Sequence, residues 1–135
     1  MQIQRNKDIA LPEAFYQLLE LRLQSVSTEQ ANIITLNFSD PNYHADSGGY
    51  HPVEIGLVRH GAHWELNYMT DFAYFGRVYP ELEKEIDVCF QQREVFSSYA
   101  GTQYLRQASG LVRLLIDNFL GYVALGVYVE KVTID

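Results

Sequence analysis

The chain has a single cysteine, Cys89, among 135 residues, and only 4 prolines. A lone cysteine excludes an internal disulfide, so the fold must hold itself together by burial, and a reducing cytoplasm is the expected compartment. No apolar run approaches the ~20 residues that span a bilayer, and residues 1–15 lack the uninterrupted apolar stretch of a secretion signal. Basic residues are scarce as well: Lys+Arg number 10 against 17 Asp+Glu, a net charge of −7. Such a field repels phosphate backbones and anionic headgroups, so neither nucleic acid nor a membrane surface is expected as a partner. Catalytic signatures are absent too. There is no His-Glu-x-x-His, no paired Cys-x-x-Cys, no Gly-x-Ser-x-Gly elbow and no Walker-type glycine loop. What remains is a composition of 47% hydrophobic and 20% charged residues, ordinary for one globular domain covering residues 1–135.

Residues 1–10 carry no usable period. Pro12 and Glu13 suit the start of a helix, and Leu11, Phe15, Leu18, Leu19, Leu23 and Val26 recur at helical spacing. From Ala31 the period changes to two, with Ile34, Leu36 and Phe38 on one side. Residues 39–49, rich in Asp, Asn, Pro and Gly, read as a long loop. Gly61-Ala62 suits a type II′ hairpin turn, which predicts Arg59 opposite Trp64, Leu57 opposite Leu66, Ile55 opposite Tyr68 and Val53 opposite Thr70. A further strand reads from Glu83 through Phe90, with a continuation through Val95 and Phe96. Thr102 is the expected N-cap of a second helix carrying Leu105, Ala108, Val112, Leu115, Ile116, Phe119 and Val123, stopped at Gly121 or Gly126. Val127–Ile134 returns as a last strand. This order contains no repeated β-α-β unit and predicts an α+β fold, a twisted antiparallel sheet flanked by N-terminal and C-terminal helices.

The run Gly48-Gly49-Tyr50-His51-Pro52-Val53-Glu54-Ile55, within residues 40–55, resembles the signature of an uncharacterised bacterial family, domain of unknown function 2787 (DUF2787). Similarity extends to Tyr68-Met69-Thr70-Asp71-Phe72, to Glu81-Leu82-Glu83-Lys84-Glu85-Ile86-Asp87 and to Asn118-Phe119-Leu120-Gly121-Tyr122. The resemblance implies a fold like that of the mitochondrial acidic matrix protein family, whose members bind the globular heads of complement C1q, form trimeric rings and act by binding partners. It implies no chemistry.

Two groups of residues stand out as candidates. The loop residues Asp40, Tyr43, Asp46, Tyr50, His51 and Glu54 bring oxygen and imidazole groups together, and with His44 they form a palette from which a ligand or divalent-metal site can be built. The competing reading has Asp40 and Asp46 organising turns. Glu81, Glu83, Glu85 and Asp87 read as an acidic surface row on one face of a strand, and Cys89 beside them is a poor nucleophile because their charge disfavours a thiolate. His60 and His63 are expected to face each other at the hairpin end, and Arg59 to stack on Trp64.

The leading expectation is a non-enzymatic protein-protein interaction module, with self-association among its contacts and the partner unnamed. The alternative is a small-ligand or divalent-metal binding protein using the Asp40–Glu54 loop. A hydrolase reading takes His51 as general base with Asp71 or Glu54 as its orienting carboxylate. The residues assign no catalytic group, no metal ligand and no cofactor.

Overall fold

A computed structural model describes residues 1–135. In chain order the elements are β1 (Ile3–Gln4), α1 (Glu13–Arg22), β2 (Ile33–Ser39), β3 (Val53–His60), β4 (His63–Phe75), β5 (Glu81–Cys89), β6 (Glu94–Ser97), β7 (Gly101–Tyr104), α2 (Ser109–Leu125) and β8 (Val129–Ile134). Strands β2 to β8 form one antiparallel array in the order β7-β6-β5-β4-β3-β2-β8. The short β1 adds a parallel pairing to the start of β4, Ile3 beside Trp64. This is the α+β fold that the periodicities predict. No helix is long and apolar enough to cross a membrane.

One face of the sheet carries the core. Ile34, Leu36 and Phe38 of β2, Val53, Ile55 and Leu57 of β3, Trp64, Leu66 and Met69 of β4, and Ile86 and Val88 of β5 are all buried. They pack in one cluster with Phe15 and Leu19 of α1 and Val112, Ile116 and Phe119 of α2. Phe119 is the keystone of the aromatic contacts, edge-on to Phe15 at 6.2 Å and to Phe38 at 4.8 Å. Both helices therefore roof the same side. The N-terminal segment is tied beneath α1: Ile3 N–H donates to Glu20 Oε2 at 2.9 Å, and Arg5 bridges Glu20 at 2.7 Å and also pairs with Glu13.

The hairpin turn has the expected form, with φ of +62° at Gly61 and no positive φ at Ala62. Near the turn the expected register is present, Arg59 opposite Trp64 and Leu57 opposite Leu66. Beyond it the register departs from the sequence reading. Gly56 pairs with Tyr68, Ile55 with Met69 and Val53 with Asp71, so Asn67 is an extra residue in β4. The bulge is what keeps burial continuous, because Leu66 and Met69, three positions apart, both face the core. The extra residue's carbonyl is used: Phe90 N–H donates to Asn67 O at 2.8 Å.

Three other expectations are corrected. Helix α2 starts at Ser109, not after Thr102; residues 101–104 form β7, and Thr102 pairs with Phe96. Val95 and Phe96 belong to a separate strand that turns back on β5. Residues 3 and 4, which carry no period, form β1 because a core strand lends them its edge. The stop at Gly126 is as expected, in the left-handed conformation at φ +74°.

Candidate functional site

A second bulge builds the site. Asp71 pairs with Ile86 and Phe72 with Lys84, which leaves Glu85 unpaired in β5. Its backbone carbonyl accepts Ser98 N–H at 2.9 Å, just beyond the end of β6. The displaced residue turns its carboxylate to the core side, beside Asp71, and away from Asp87 on the opposite face. His51 arrives from the end of the long loop, just before Pro52, which holds the preceding backbone extended. Its carbonyl accepts the Tyr128 hydroxyl at 2.8 Å.

The three side chains converge. His51 Nδ1 lies 3.3 Å from Asp71 Oδ2 and 3.6 Å from Glu85 Oε1. Asp71 is only 5% exposed, and its other oxygen accepts Ile86 N–H at 2.9 Å, which fixes the carboxylate. The hydrogen bond to Asp71 raises the His51 pKa against the opposing effect of burial, and the Glu85 charge adds to the rise. Burial raises the pKa of Glu85, and the neighbouring Asp71 raises it further.

This cluster forms the polar end of a cavity of about 330 Å³ between sheet and α2. Leu111, Leu114, Leu115 and Phe119 of α2 supply an apolar roof, and Val53 and Ile86 part of the floor. Tyrosines stand around it: Tyr50 and Tyr122 with ring centroids 4.7 Å apart, Tyr99 from the β6–β7 turn, and Tyr128. Burial pushes the Tyr128 hydroxyl pKa up strongly, so it stays a neutral donor. The set offers one imidazole nitrogen and two carboxylates within 4.8 Å of one another, all able to face a cation or a hydrogen-bond donor.

The loop candidates divide. Tyr50 and His51 line the cavity. Tyr43 stacks behind His51 at 5.2 Å and against Tyr74 at 5.0 Å. Asp40 is spent on the loop itself, accepting Asn42 N–H at 2.9 Å and Tyr50 N–H at 3.0 Å. Gly49, at φ +139°, passes so close that a Cβ would come within 2.8 Å of the Tyr43 backbone, so the loop requires glycine there. Asp46 and His44 are exposed at the loop tip. Glu54 lies on the opposite face of the sheet, bonded to the Tyr68 hydroxyl at 2.9 Å, and takes no part in the cavity. Of the hydrolase pairings, His51 meets Asp71 and not Glu54.

The acidic row is not one row. Glu85 faces the cavity, whereas Asp87 accepts the Thr70 hydroxyl at 2.6 Å on the outer face, and Glu81 and Glu83 are exposed towards the end of the β4–β5 hairpin. His60 and His63 do pair across their turn, both exposed, and Arg59 lies 5.0 Å over Trp64.

The family described as "Protein of unknown function (DUF2787)" matches residues 13–135. The chain belongs to this family. A hypothetical protein from the VSP-II pathogenicity island of Vibrio cholerae is 32% identical, with a TM-score of 0.91 over 100% of this chain and 99% of its own. A conserved hypothetical protein from pathogenicity island VPI-2 of the same species is 37% identical, with a TM-score of 0.81 over 91% and 94%. The latter is described as sharing structural homology with the human P32 protein, in line with the fold resemblance read from the sequence. No curated protein matches the chain. The stretches through which the chain resembles DUF2787 all reach the cavity: Tyr50 and His51 from the first, Asp71 from the second, Glu85 from the third, Phe119 and Tyr122 from the last.

The residue pattern marks Asp71 only as a partner for His51 and puts Glu85 on the surface, and it does not mark Tyr99 or Tyr128. The available signal is Asp71 itself, an acid within the Tyr68–Phe72 stretch, where Met69, Thr70 and Asp71 are buried in succession.

Proposed function

We propose that this protein is a non-enzymatic binding protein whose site is the recess beneath α2, and that its ligand is a small molecule with an apolar body and a polar head. The carrying observation is the convergence of His51, Asp71 and Glu85 at one end of an otherwise apolar and tyrosine-lined cavity. At about 330 Å³ the space falls near the lower end of the range of about 300–1,000 Å³ that small-ligand sites occupy. Apolar walls favour burial of the body, and a few fixed polar groups orient the head.

A panel of metabolites screened by thermal shift tests this reading. A true ligand raises the melting temperature in proportion to the logarithm of its concentration above Kd. A second set of measurements on Leu114→Trp, which fills the mouth from a position 56% exposed, distinguishes the recess from elsewhere.

A second reading, docking to another protein or to a second copy, is favoured by the β4–β5 turn, where Val78 is 79% and Tyr79 84% exposed. Solvent-facing apolar side chains on a projecting turn suit partner contact. Light scattering on wild type and Tyr79→Glu tests it: self-association lost in the variant supports this reading, and a monomer in both opposes self-association.

A further inference from the structure

We propose that His51, Asp71 and Glu85 form a site for a single divalent transition-metal ion, zinc(II) by ligand chemistry, with its remaining coordination position open to the recess. The inference rests on the same recess as the ligand-binding reading and deepens it, since a ligand's polar head would complete the coordination.

Three observations carry it. First, the spacings around His51 suit a metal. Charge-assisted N–H to carboxylate bonds are about 2.7–2.9 Å, whereas His51 Nδ1 stands 3.3 Å from Asp71 and 3.6 Å from Glu85. A tetrahedral ion with bonds of about 2.0–2.2 Å keeps its ligand atoms roughly 3.3–3.6 Å apart, and the three ligand atoms here all lie within 4.8 Å of one another. Second, the recess gathers two carboxylates around one imidazole. Two carboxylates lie together, one of them almost fully buried, and no lysine or arginine lines the recess; His51 is their only ion-pair partner. A divalent cation pairs with both carboxylates at once and displaces to solvent the proton that their proximity otherwise favours. Third, the surroundings hold the ligands in place. Ile86 N–H occupies Asp71 Oδ1 and leaves Oδ2 for the centre, and Tyr128 pins the His51 carbonyl. Such supporting contacts are what orient metal ligands.

The donor set selects the ion. One imidazole with two carboxylates under leucine walls cannot supply the six to eight oxygens that calcium takes, and zinc accepts three protein ligands with one position left open. On binding, His51 gives up its Nδ1 proton to solvent and the nitrogen lone pair forms the bond to the ion.

The test is calorimetric titration of metal-free, full-length protein with zinc chloride alone. The expected result is one ion per chain, with affinity reduced at least about tenfold in Glu85→Gln and in Asp71→Asn, the lower bound set by losing even a supporting partner of a ligand. His60→Ala and His63→Ala, at the exposed hairpin, should leave binding unchanged. Cobalt(II) bound to wild type should give the intense visible absorption of a four-coordinate ion. No uptake by wild type, uptake undiminished in both acid variants, or uptake lost with the hairpin histidines would overturn the metal site. Compounds that raise the melting temperature of the metal-free protein through the recess would leave the ligand reading standing in that event.

Discussion

His51 and Asp71, twenty residues apart in the chain, meet at 3.3 Å because Asp71 lies opposite Val53 and His51 stands just before that strand. The same Asp71 carboxylate caps the Ile86 backbone N–H at 2.9 Å. One side chain thus serves both the cavity and the β4–β5 ladder. Asp71→Ala should leave that buried N–H unpaired and cost about 1–3 kcal/mol, whereas Asp71→Asn retains an acceptor and should cost less. Urea denaturation of the two variants measures the difference.

Phe119 is the residue through which α2 holds both α1 and the sheet. Truncation to alanine should cost about 3–5 kcal/mol, the range for a buried aromatic. Leu114→Ala, on the same helix but largely exposed, should fall within about 0.5 kcal/mol of wild type apart from a small propensity effect. Equal costs in a denaturant series would contradict the placement of α2.

Gly56 lies directly under the Tyr68 ring, where an added Cβ would come within 2.2 Å of Cε1. Gly56→Ala must push the ring aside and break its bond to Glu54, at a cost of about 1–3 kcal/mol. In a Tyr68→Ala background the same change should cost much less. A double-mutant cycle by chemical denaturation reads the coupling directly.

Glu20 gives a pH dependence of known sign. Burial pushes its pKa up, but hydrogen bonds from Arg5 and from Ile3 N–H outweigh burial and lower it overall. A carboxyl lowered in the folded state adds stability that is full above its unfolded value, about 4.3, and is lost as pH falls through the folded one. Wild type should therefore lose stability into acid more steeply than Glu20→Gln, and at neutral pH the variant should be the less stable. Melting temperatures measured from pH 7 downward check both.

Much of the fold was legible because it rests on periodicity. Phe15 and Leu19, Ile34 to Phe38, and Val112 to Phe119 announce their buried faces by spacing alone, and Gly61 marks its turn. The two bulges were not legible. An extra residue at Asn67 or Glu85 changes which neighbours face inward without changing composition, and its carbonyl is satisfied by a backbone N–H just past the end of the neighbouring strand, Phe90 after β5 and Ser98 after β6. Gly101–Tyr104 is exposed throughout, so no alternation marks it as a strand. The site suffered most from this. His51 and Tyr50 stood out by type and neighbourhood, but Glu85 joins them only because the bulge turns an apparent surface acid inward.

The central claim is that a small molecule occupies the recess between α2 and the sheet. Its most direct measurement is the melting temperature of wild type and Leu114→Trp side by side across a metabolite panel. At least one compound should raise the wild-type value in a concentration-dependent way and lose most of that effect in Leu114→Trp. A panel that shifts neither protein, or shifts both equally, would contradict it.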